Sequence, residues 1–246
     1  MAGHSKWANI QHRKGREDAK RAKLFTKLGR EIMVAAKMGG ADPDANPRLR
    51  AAMIEARKNS MPNDNIKRAV DKGAGGGDTG AMDELTYEGY GPGGVAVLVE
   101  VMTDNKNRTV PELRHIFSKC NGNLAESGAV AWQFARKGYI TIPKSAIEED
   151  PLTEAVLEAE ADDYEDAGDY WGIVTPGDQL HQVMGVLEGM DLEIESGKLV
   201  MMPSTEIRVE GDTLKKVMSL MEKLDDQEDV QNVFNNADFD EAELEE

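Results

Sequence analysis

Residues 73–80 read Gly73-Ala74-Gly75-Gly76-Gly77-Asp78-Thr79-Gly80, and this short stretch divides the chain into two parts of different character. Five of its eight residues are glycine, which loses more conformational freedom on folding than any other residue. The stretch therefore predicts a flexible linker rather than a helix or a strand. Both the charge of the chain and the spacing of its apolar residues change at this point.

Charge is distributed unevenly about this linker. The whole sequence of 246 residues has a formal net charge of −17. Residues 1–72 nevertheless contain 17 Lys and Arg against 8 Asp and Glu, whereas the remaining residues contain 12 against 38. Such an asymmetry is typical of a basic nucleic-acid or membrane arm joined to a module of another kind.

The composition predicts a cytoplasmic protein. The apolar stretch Val95–Val99 is far shorter than the ~20 residues that a membrane helix needs. The N-terminal residues Met1–Trp7 contain no apolar run, so we expect no secretory signal. Cys120 is the single cysteine and cannot form an internal disulfide, which fits a reducing compartment.

The part before the linker is predicted to form three short helices. Apolar residues recur at helical spacing across about Glu17–Lys37, across Leu49–Ala56 and across Ile66–Val70. Gly39-Gly40 is expected to end the first helix. The third helix is expected to end at Lys72-Gly73, with Gly73 as a left-handed cap.

The start of the second helix has the clearest local signal. Asn46 is a favoured N-cap residue, and Pro47 suits the first helical position because its missing N–H has no partner there in any case. We therefore expect the second helix to begin at Pro47.

After the linker the pattern changes to strands interleaved with helices, which predicts two small α+β sandwiches. Strands are expected at Glu84–Tyr90, Gly94–Met102, Val130–Phe134, Gly138–Ile142, Asp169–Thr175, Leu192–Met202, Thr205–Val209 and Val230–Asn235. Helices are expected at Thr109–Cys120, Leu152–Ala161, Gly177–Gly189 and Asp212–Leu224. The acidic cluster within residues 162–169 is interpreted as a solvated loop, because it lacks calcium-loop spacing.

A row of positive charge runs beside the apolar face of the first helix. At 100° per residue, six cations fall in a stripe about 100° wide if the helix extends through Gly15. They are Arg13, Arg16, Lys20, Lys23, Lys27 and Arg30. Like charges at this spacing destabilise a helix by roughly 0.2–0.5 kcal/mol each, so the stripe favours an external anion that neutralises it. Phosphates along a nucleic-acid backbone are such anions.

The segment before the stripe has the composition of a nucleic-acid-binding arm. Lys6 and Lys14 can contact phosphate, and Trp7 can stack on a base, although packing inside the protein is an equal alternative for Trp7. The predicted nucleic-acid-binding set is completed by cations of the second and third helices, Arg57, Lys67 and Arg68.

Two other interpretations of this basic surface stay open. It can dock on an acidic partner or on the protein's own acidic half, or it can be a solvated face. The polar loop 103–108 has a similar ambiguity: Lys106 and Arg108 can bind an anion, or the loop can serve ordinary turn and capping chemistry.

The sequence gives no indication of an enzyme. Residues 89–94 are rich in glycine but are not followed by Lys-Ser/Thr, so they are interpreted as a hairpin turn and not as a phosphate loop. The four histidines are scattered and there is one cysteine, which predicts no zinc site. We expect no catalytic residue, no cofactor and no metal.

Several long motifs closely resemble the YebC family. They are Met1–Lys14, Ala22–Lys27, Met61–Ile66, Tyr87–Gly94, Thr103–Thr109 and Gly128–Trp132. The resemblance covers essentially the whole chain. It implies an α+β protein of three domains, with a helical domain at 1–76, a discontinuous domain at 82–135 and 204–240 and an inserted domain at 136–203. The acidic tail at 241–246 is predicted from its composition, and its length and acidity depart from the family pattern.

The resemblance also implies a role in gene expression. Members of the family are commonly described as transcriptional regulators that bind DNA, which makes this the first hypothesis. The alternative is a ribosome-associated, RNA-binding translation factor that relieves stalled translation. The expected partner is therefore DNA or ribosomal RNA. Ribosomal or transcription-machinery proteins are possible partners of the acidic domains, and no membrane partner is expected.

Overall fold

A computed structural model of the chain describes residues 18–75, 82–240 and 243, with side chains from Arg21 onward. Most of the predicted glycine linker and of the predicted acidic tail lies outside these residues. The described part combines helices with two four-stranded antiparallel sheets and a small parallel one, so the predicted α+β class is confirmed. It contains no helix that is long and apolar enough to cross a membrane.

The three predicted N-terminal helices are confirmed. They are α1 (Asp18–Gly39), α2 (Pro47–Lys58) and α3 (Asn63–Ala74). Asn46 is the N-cap of α2, and its side chain accepts a hydrogen bond from the backbone N–H of Leu49. The core between the helices includes Ile32, Leu49, Ile66 and Val70, all buried. We call residues 18–75 the helical domain.

Gly73 does not have the predicted role of a left-handed cap. The helix continues to Ala74, and Gly73 lies within it, against α1. A Cβ atom at this position would lie 2.3 Å from the carbonyl oxygen of Met33. Gly73 therefore permits close contact between two helix backbones, a non-local requirement that its position near the end of a helix does not reveal.

The first sheet has the strand order β3-β1-β2-β9. Its strands are β1 (Asp83–Tyr90), β2 (Ala96–Thr103), β3 (Asn123–Leu124) and β9 (Val230–Asn235), and all pairings are antiparallel. Helices α4 (Lys106–Lys119) and α7 (Gly211–Asp225) pack on it. The turn between β1 and β2 includes Pro92–Gly94, which confirms the predicted hairpin.

The second sheet has the order β5-β6-β4-β7 and is formed entirely within residues 134–203. Its strands are β4 (Phe134–Pro143), β5 (Asp163–Ala167), β6 (Tyr170–Pro176) and β7 (Ser196–Pro203). Helices α5 (Glu149–Glu158) and α6 (Leu180–Gly189) cover it through a core that includes Ile140, Ile173 and Leu187. The two sheets share a further apolar cluster, in which Leu98 and Phe234 accompany Tyr139 and Val200.

The chain returns to the first sheet after completing the second. β9 pairs with β2, as the resemblance implies. The strand predicted at 205–209 is reduced to β8 (Ile207–Arg208), which pairs in parallel with β10 (Ala237–Asp238) in a separate two-stranded sheet. The exact domain boundaries stay predictions.

Two further predictions about strands are wrong. Residues 131–133 form a single helical turn, and the strand begins only at Phe134. The acidic segment predicted as a loop contains β5, which forms an antiparallel hairpin with β6. β5 is an edge strand, so it can carry acidic side chains without the apolar alternation that identifies an internal strand.

Candidate nucleic-acid interface

Half of the predicted nucleic-acid-binding residues lie outside the description of side chains. Lys6, Trp7, Arg13, Lys14 and Arg16 lie before the first described residue. Lys20 lies in α1, but its side chain is not described. Their proposed contacts with phosphates and bases stay predictions.

The described part of the cation stripe faces carboxylates of the protein itself. We call Lys23, Lys27 and Arg30 the cation row, and residues 225–229 the acidic loop, which joins the end of α7 to the start of β9. The ion pairs are Lys23–Asp226 at 2.8 Å, Lys27–Asp225 at 2.7 Å and Arg30–Asp229 at 3.0 Å. Of the alternatives that the sequence leaves open, self-docking is the arrangement seen for these three cations.

The ion pairs become more buried along α1. The side chains of Lys23 and Asp226 are 44% and 65% exposed, whereas those of Arg30 and Asp229 are 13% and 1% exposed. Exposed pairs contribute little because water screens them. The ion pair at the buried end of the row is therefore screened less by water than the pair at the exposed end.

Asp229 is the centre of this buried end. Besides the ion pair with Arg30, it accepts two hydrogen bonds from Arg108, both 3.0 Å long. The hydroxyls of Thr109 and Thr103 donate at 2.6 Å and 3.2 Å. Burial alone would raise the pKa of Asp229, but these hydrogen bonds and the two guanidinium charges outweigh burial and lower it.

The loop predicted as a second anion site also binds internal carboxylates. Lys106 pairs with Asp83 at 3.2 Å, and Arg108 pairs with Asp104 at 3.1 Å as well as with Asp229. The Asn105 side chain caps α4 by accepting a hydrogen bond from the backbone N–H of Arg108. The loop thus performs the capping chemistry that was its alternative interpretation, and an external anion there stays a prediction.

Two other contacts attach the helical domain to the rest of the chain. Arg48 of α2 pairs with Glu31 of α1 and with Glu84 of β1. Its hydrogen bonds to Glu31 and Glu84 raise its pKa further above the ordinary value of arginine. Lys58, at the end of α2, donates to the backbone carbonyl of Glu195, just before β7. All of these attachments are polar.

Several cations of the helical domain remain open to solvent. Arg57 and Lys67, both in the predicted set, are exposed and form no ion pair with any residue that the structure describes. The same is true of Arg50 and Lys72. Arg68 is also exposed and makes only local bonds, including one of 2.6 Å to Asn65. Unlike the cation row and Arg48, these exposed cations form no ion pair with a carboxylate among the described residues.

A turn around Glu88 was not predicted. The carboxylate of Glu88 is buried and accepts backbone hydrogen bonds from Gly128, Val130 and Ala131 at 2.6, 2.7 and 2.8 Å. Burial alone would raise the pKa of Glu88, but the three N–H donors outweigh burial and lower it. Alternation along β1 does not reveal this role, since Glu88 resembles an ordinary exposed strand residue.

The same turn presents Trp132 to solvent. Its side chain is 75% exposed, and its indole N–H donates to the carbonyl of Ala129 at 3.2 Å. Trp132 was predicted only as part of a family motif, inside a strand. It is instead an exposed aromatic side chain on a turn held by a buried carboxylate.

No metal centre accompanies these features in the described ranges 18–75, 82–240 and 243. They contain no group of three or more His, Cys, Asp and Glu side chains that could hold a metal ion. The main features of the candidate interface are its charged side chains. Exposed cations lie on α2 and α3, a cation row on α1 is paired with the acidic loop, and Asp229 lies at their junction.

Together these features describe a multidomain α+β protein in which ion pairs attach a basic helical domain to an acidic remainder. Two family profiles match this chain. The profile described as the TACO1/YebC protein N-terminal domain matches residues 5–76, and that of the TACO1/YebC second and third domain matches residues 82–237. The chain belongs to the TACO1/YebC family, which confirms the resemblance.

Similar proteins span the full length of the chain. A relative from Geobacter sp. (strain M21) is 51% identical over 100% of this chain and 99% of its own length. One from Alcanivorax borkumensis is 53% identical over 97% of each chain. Both are named probable transcriptional regulatory protein. The crystal structure of a conserved hypothetical protein from Aquifex aeolicus, 43% identical, matches with a TM-score of 0.84 over 91% of this chain and 93% of that one.

Proposed function

We propose that this chain is a non-enzymatic transcriptional regulatory protein of the cytoplasm that binds DNA through its helical domain. Two lines support the proposal. Similar proteins are named as transcriptional regulatory proteins, and the helical domain carries exposed cations on α2 and α3 without carboxylate partners among the described residues. The second observation carries the proposal, because it supplies a surface that phosphates can reach.

Arginine and lysine contribute differently to such a surface. Arg57 can donate two parallel hydrogen bonds to one phosphate, whereas Lys67 acts as a point charge. Neutralising phosphates releases counterions condensed on DNA, which supplies most of the free energy of non-specific binding. Acidic residues of the remaining domains repel the same phosphates, so DNA approaches the helical domain and not the sheets.

The first test is the salt dependence of binding. A labelled DNA duplex is titrated with the full chain at several salt concentrations, and fluorescence anisotropy gives the affinity. The logarithm of the binding constant is expected to fall linearly with the logarithm of salt concentration, with a slope near −0.9 for each phosphate contacted. A flat dependence contradicts binding to phosphates.

The second test is charge reversal. R57E/K67E removes two exposed cations of the helical domain and is expected to reduce the magnitude of the salt slope by about 2 and to weaken binding at every salt concentration. K215E/K216E is the matched control, because both lysines are exposed on α7 of the acidic part. Equal losses in the two variants mean that net charge, and not the helical domain, governs binding.

The same titration with RNA decides the class of nucleic acid. The proposal predicts that duplex DNA binds at least as tightly as single-stranded or ribosomal RNA of equal length. Two results together would favour a translation factor over a DNA-binding regulator. Ribosomal RNA would bind much more tightly than DNA, and the protein would co-sediment with ribosomes even after DNase treatment.

A further inference from the structure

The cation row and the acidic loop make a contact that DNA binding does not require. Three cations on one face of α1 meet three carboxylates of a loop from the far end of the chain. Lys27 and Asp225 are 198 residues apart in sequence. Like charges along a helix face destabilise the helix, and the acidic loop relieves this repulsion.

We propose that the acidic loop is an internal competitor of nucleic acid. Its carboxylates cover the cation row in the free protein, and phosphates displace them when nucleic acid binds. This inference rests on the proposed function, because it extends the phosphate-binding surface from α2 and α3 to α1. The predicted occupant of the uncovered row is the phosphate backbone of DNA.

The carboxylates of the acidic loop bind the same cationic side chains that DNA phosphates would bind. Lys23 and Lys27 offer ammonium groups, and Arg30 offers a guanidinium. Each of these groups binds carboxylate and phosphate oxygens in similar geometry. The row extends from Lys23 to Arg30, about 10 Å along the helix, and therefore matches a series of anions rather than a single one.

Asp229 is arranged so that Arg30 can leave it. Removing one partner from a buried ion pair is normally strongly unfavourable, because a buried charge is left unpaired. Here Arg108 keeps two hydrogen bonds to Asp229, and Thr109 donates a third. Both residues belong to α4, which packs on the first sheet and not on α1. Departure of α1 therefore leaves Asp229 paired, and the main cost of opening the contact is avoided.

The rest of the contact is also easy to open. The outer pair, Lys23–Asp226, is exposed and screened by salt. A cavity of about 150 Å³ lies between α1 and residues 225–228 of the loop, so the two surfaces are incompletely packed. The apolar core of the helical domain consists of residues from that domain alone. Ion pairs and hydrogen bonds thus attach α1, and phosphates can compete for them.

The first experiment neutralises the loop in the full-length protein. D225N/D226N is expected to bind a 20-base-pair duplex roughly 3- to 10-fold more tightly than the wild type at low salt, since two competing charges are gone. E154Q/E158Q is the matched control: it removes the same charge from exposed positions of α5. An equal gain in both variants, or no gain in D225N/D226N, overturns the inference.

The second experiment closes the contact covalently. K23C/D226C is cross-linked with a reducible bis-methanethiosulfonate reagent, while the native Cys120 is buried and protected. The cross-linked form is expected to bind DNA at least fivefold more weakly than the same variant after reduction, because Lys27 and Arg30 stay covered. Equal affinity of the two forms overturns the inference.

The outcomes separate this inference from the proposed function. If the wild type binds DNA in a salt-dependent way, but neither D225N/D226N nor the cross-link changes its affinity, the proposed function stands. The inference that the acidic loop competes with DNA is then wrong. Binding that appears only in D225N/D226N supports the competitor. Absence of binding in the wild type and in D225N/D226N overturns both.

Discussion

Arg30 of α1 and Asp229, the last residue of the acidic loop, lie 3.0 Å apart and form the most buried ion pair between the helical domain and the rest of the described chain. The guanidinium group also donates to the backbone carbonyl of Glu228. This pair joins the basic and acidic parts of the chain, and several measurable properties depend on it.

Asp229→Asn is expected to lower the free energy of unfolding by about 3–5 kcal/mol. The substitution keeps the size of the side chain but removes the buried carboxylate, so Arg30 loses its ion-pair partner and Arg108 keeps only Asp104. Urea unfolding followed by circular dichroism measures the change. Asp226→Asn, at the exposed end of the cation row, is the control and should cost no more than about 1 kcal/mol. Equal costs would contradict the special role of Asp229.

Glu88→Gln is expected to make stability less dependent on acid pH. The folded protein lowers the pKa of Glu88 below its ordinary value of 4.5, so the unfolded chain binds more protons as the pH falls. The stabilisation is therefore complete well above pH 4.5 and is lost as the pH falls through the lowered pKa.

At pH 7 the variant should be less stable by about 1.5–3 kcal/mol, because hydrogen bonds to a charged group are lost. The difference from the wild type should shrink as the pH falls below 4.5. Urea midpoints measured between pH 7 and pH 3 give the comparison. A difference that does not change with pH would show that the charge of Glu88 does not hold the turn at residues 128–131.

Gly73→Ala is expected to destabilise the helical domain by about 1–3 kcal/mol. Alanine normally favours a helix, but here its Cβ would overlap the carbonyl oxygen of Met33. Gly185→Ala in α6 is the control, since nothing lies within 4 Å of its Cβ position, and it should stabilise by about 0.5–1 kcal/mol. Thermal unfolding of both variants tests whether Gly73→Ala lowers the stability while Gly185→Ala raises it.

Asn46→Ala is expected to cost about 2–3 kcal/mol, more than the loss of an ordinary helix cap. The buried side chain caps α2 and also donates to the carbonyls of Ala35 and Gly40 at 2.7 and 2.9 Å. Asn105→Ala removes an exposed cap of α4 and should cost about 1 kcal/mol. Similar costs would mean that the bonds to the end of α1 contribute nothing.

Local signals explain what the sequence predicted correctly. The start of α2 was predicted at the right residue because Asn46 and Pro47 act within one turn. The β1–β2 hairpin was predicted because its turn residues are adjacent in sequence. Helices α4 and α7 were identified within a few residues of their ends from their apolar periodicity.

The features that could not be predicted from the sequence depend on contacts between segments that are distant along the chain. The need for glycine at position 73 comes from the backbone of Met33, which packs against it. The buried role of Glu88 comes from backbone N–H donors at residues 128–131. The cation stripe was recognised as charge that needs an anion. For Lys23, Lys27 and Arg30, the anions are carboxylates of the acidic loop. The apolar and charged pattern of the helix does not identify this distant loop. β5 was missed because an edge strand needs no apolar alternation.

The return of the chain to its first sheet fixes an order of events during synthesis. β2 receives its partner β9 only after residues 134–203, which form the whole second sheet, have been made. The helical domain leaves the ribosome first, because chains are made from the N-terminus and domains fold as units. Until Asp225 to Asp229 have been translated, α1 presents its cations uncovered. A nascent chain therefore differs electrostatically from the finished protein.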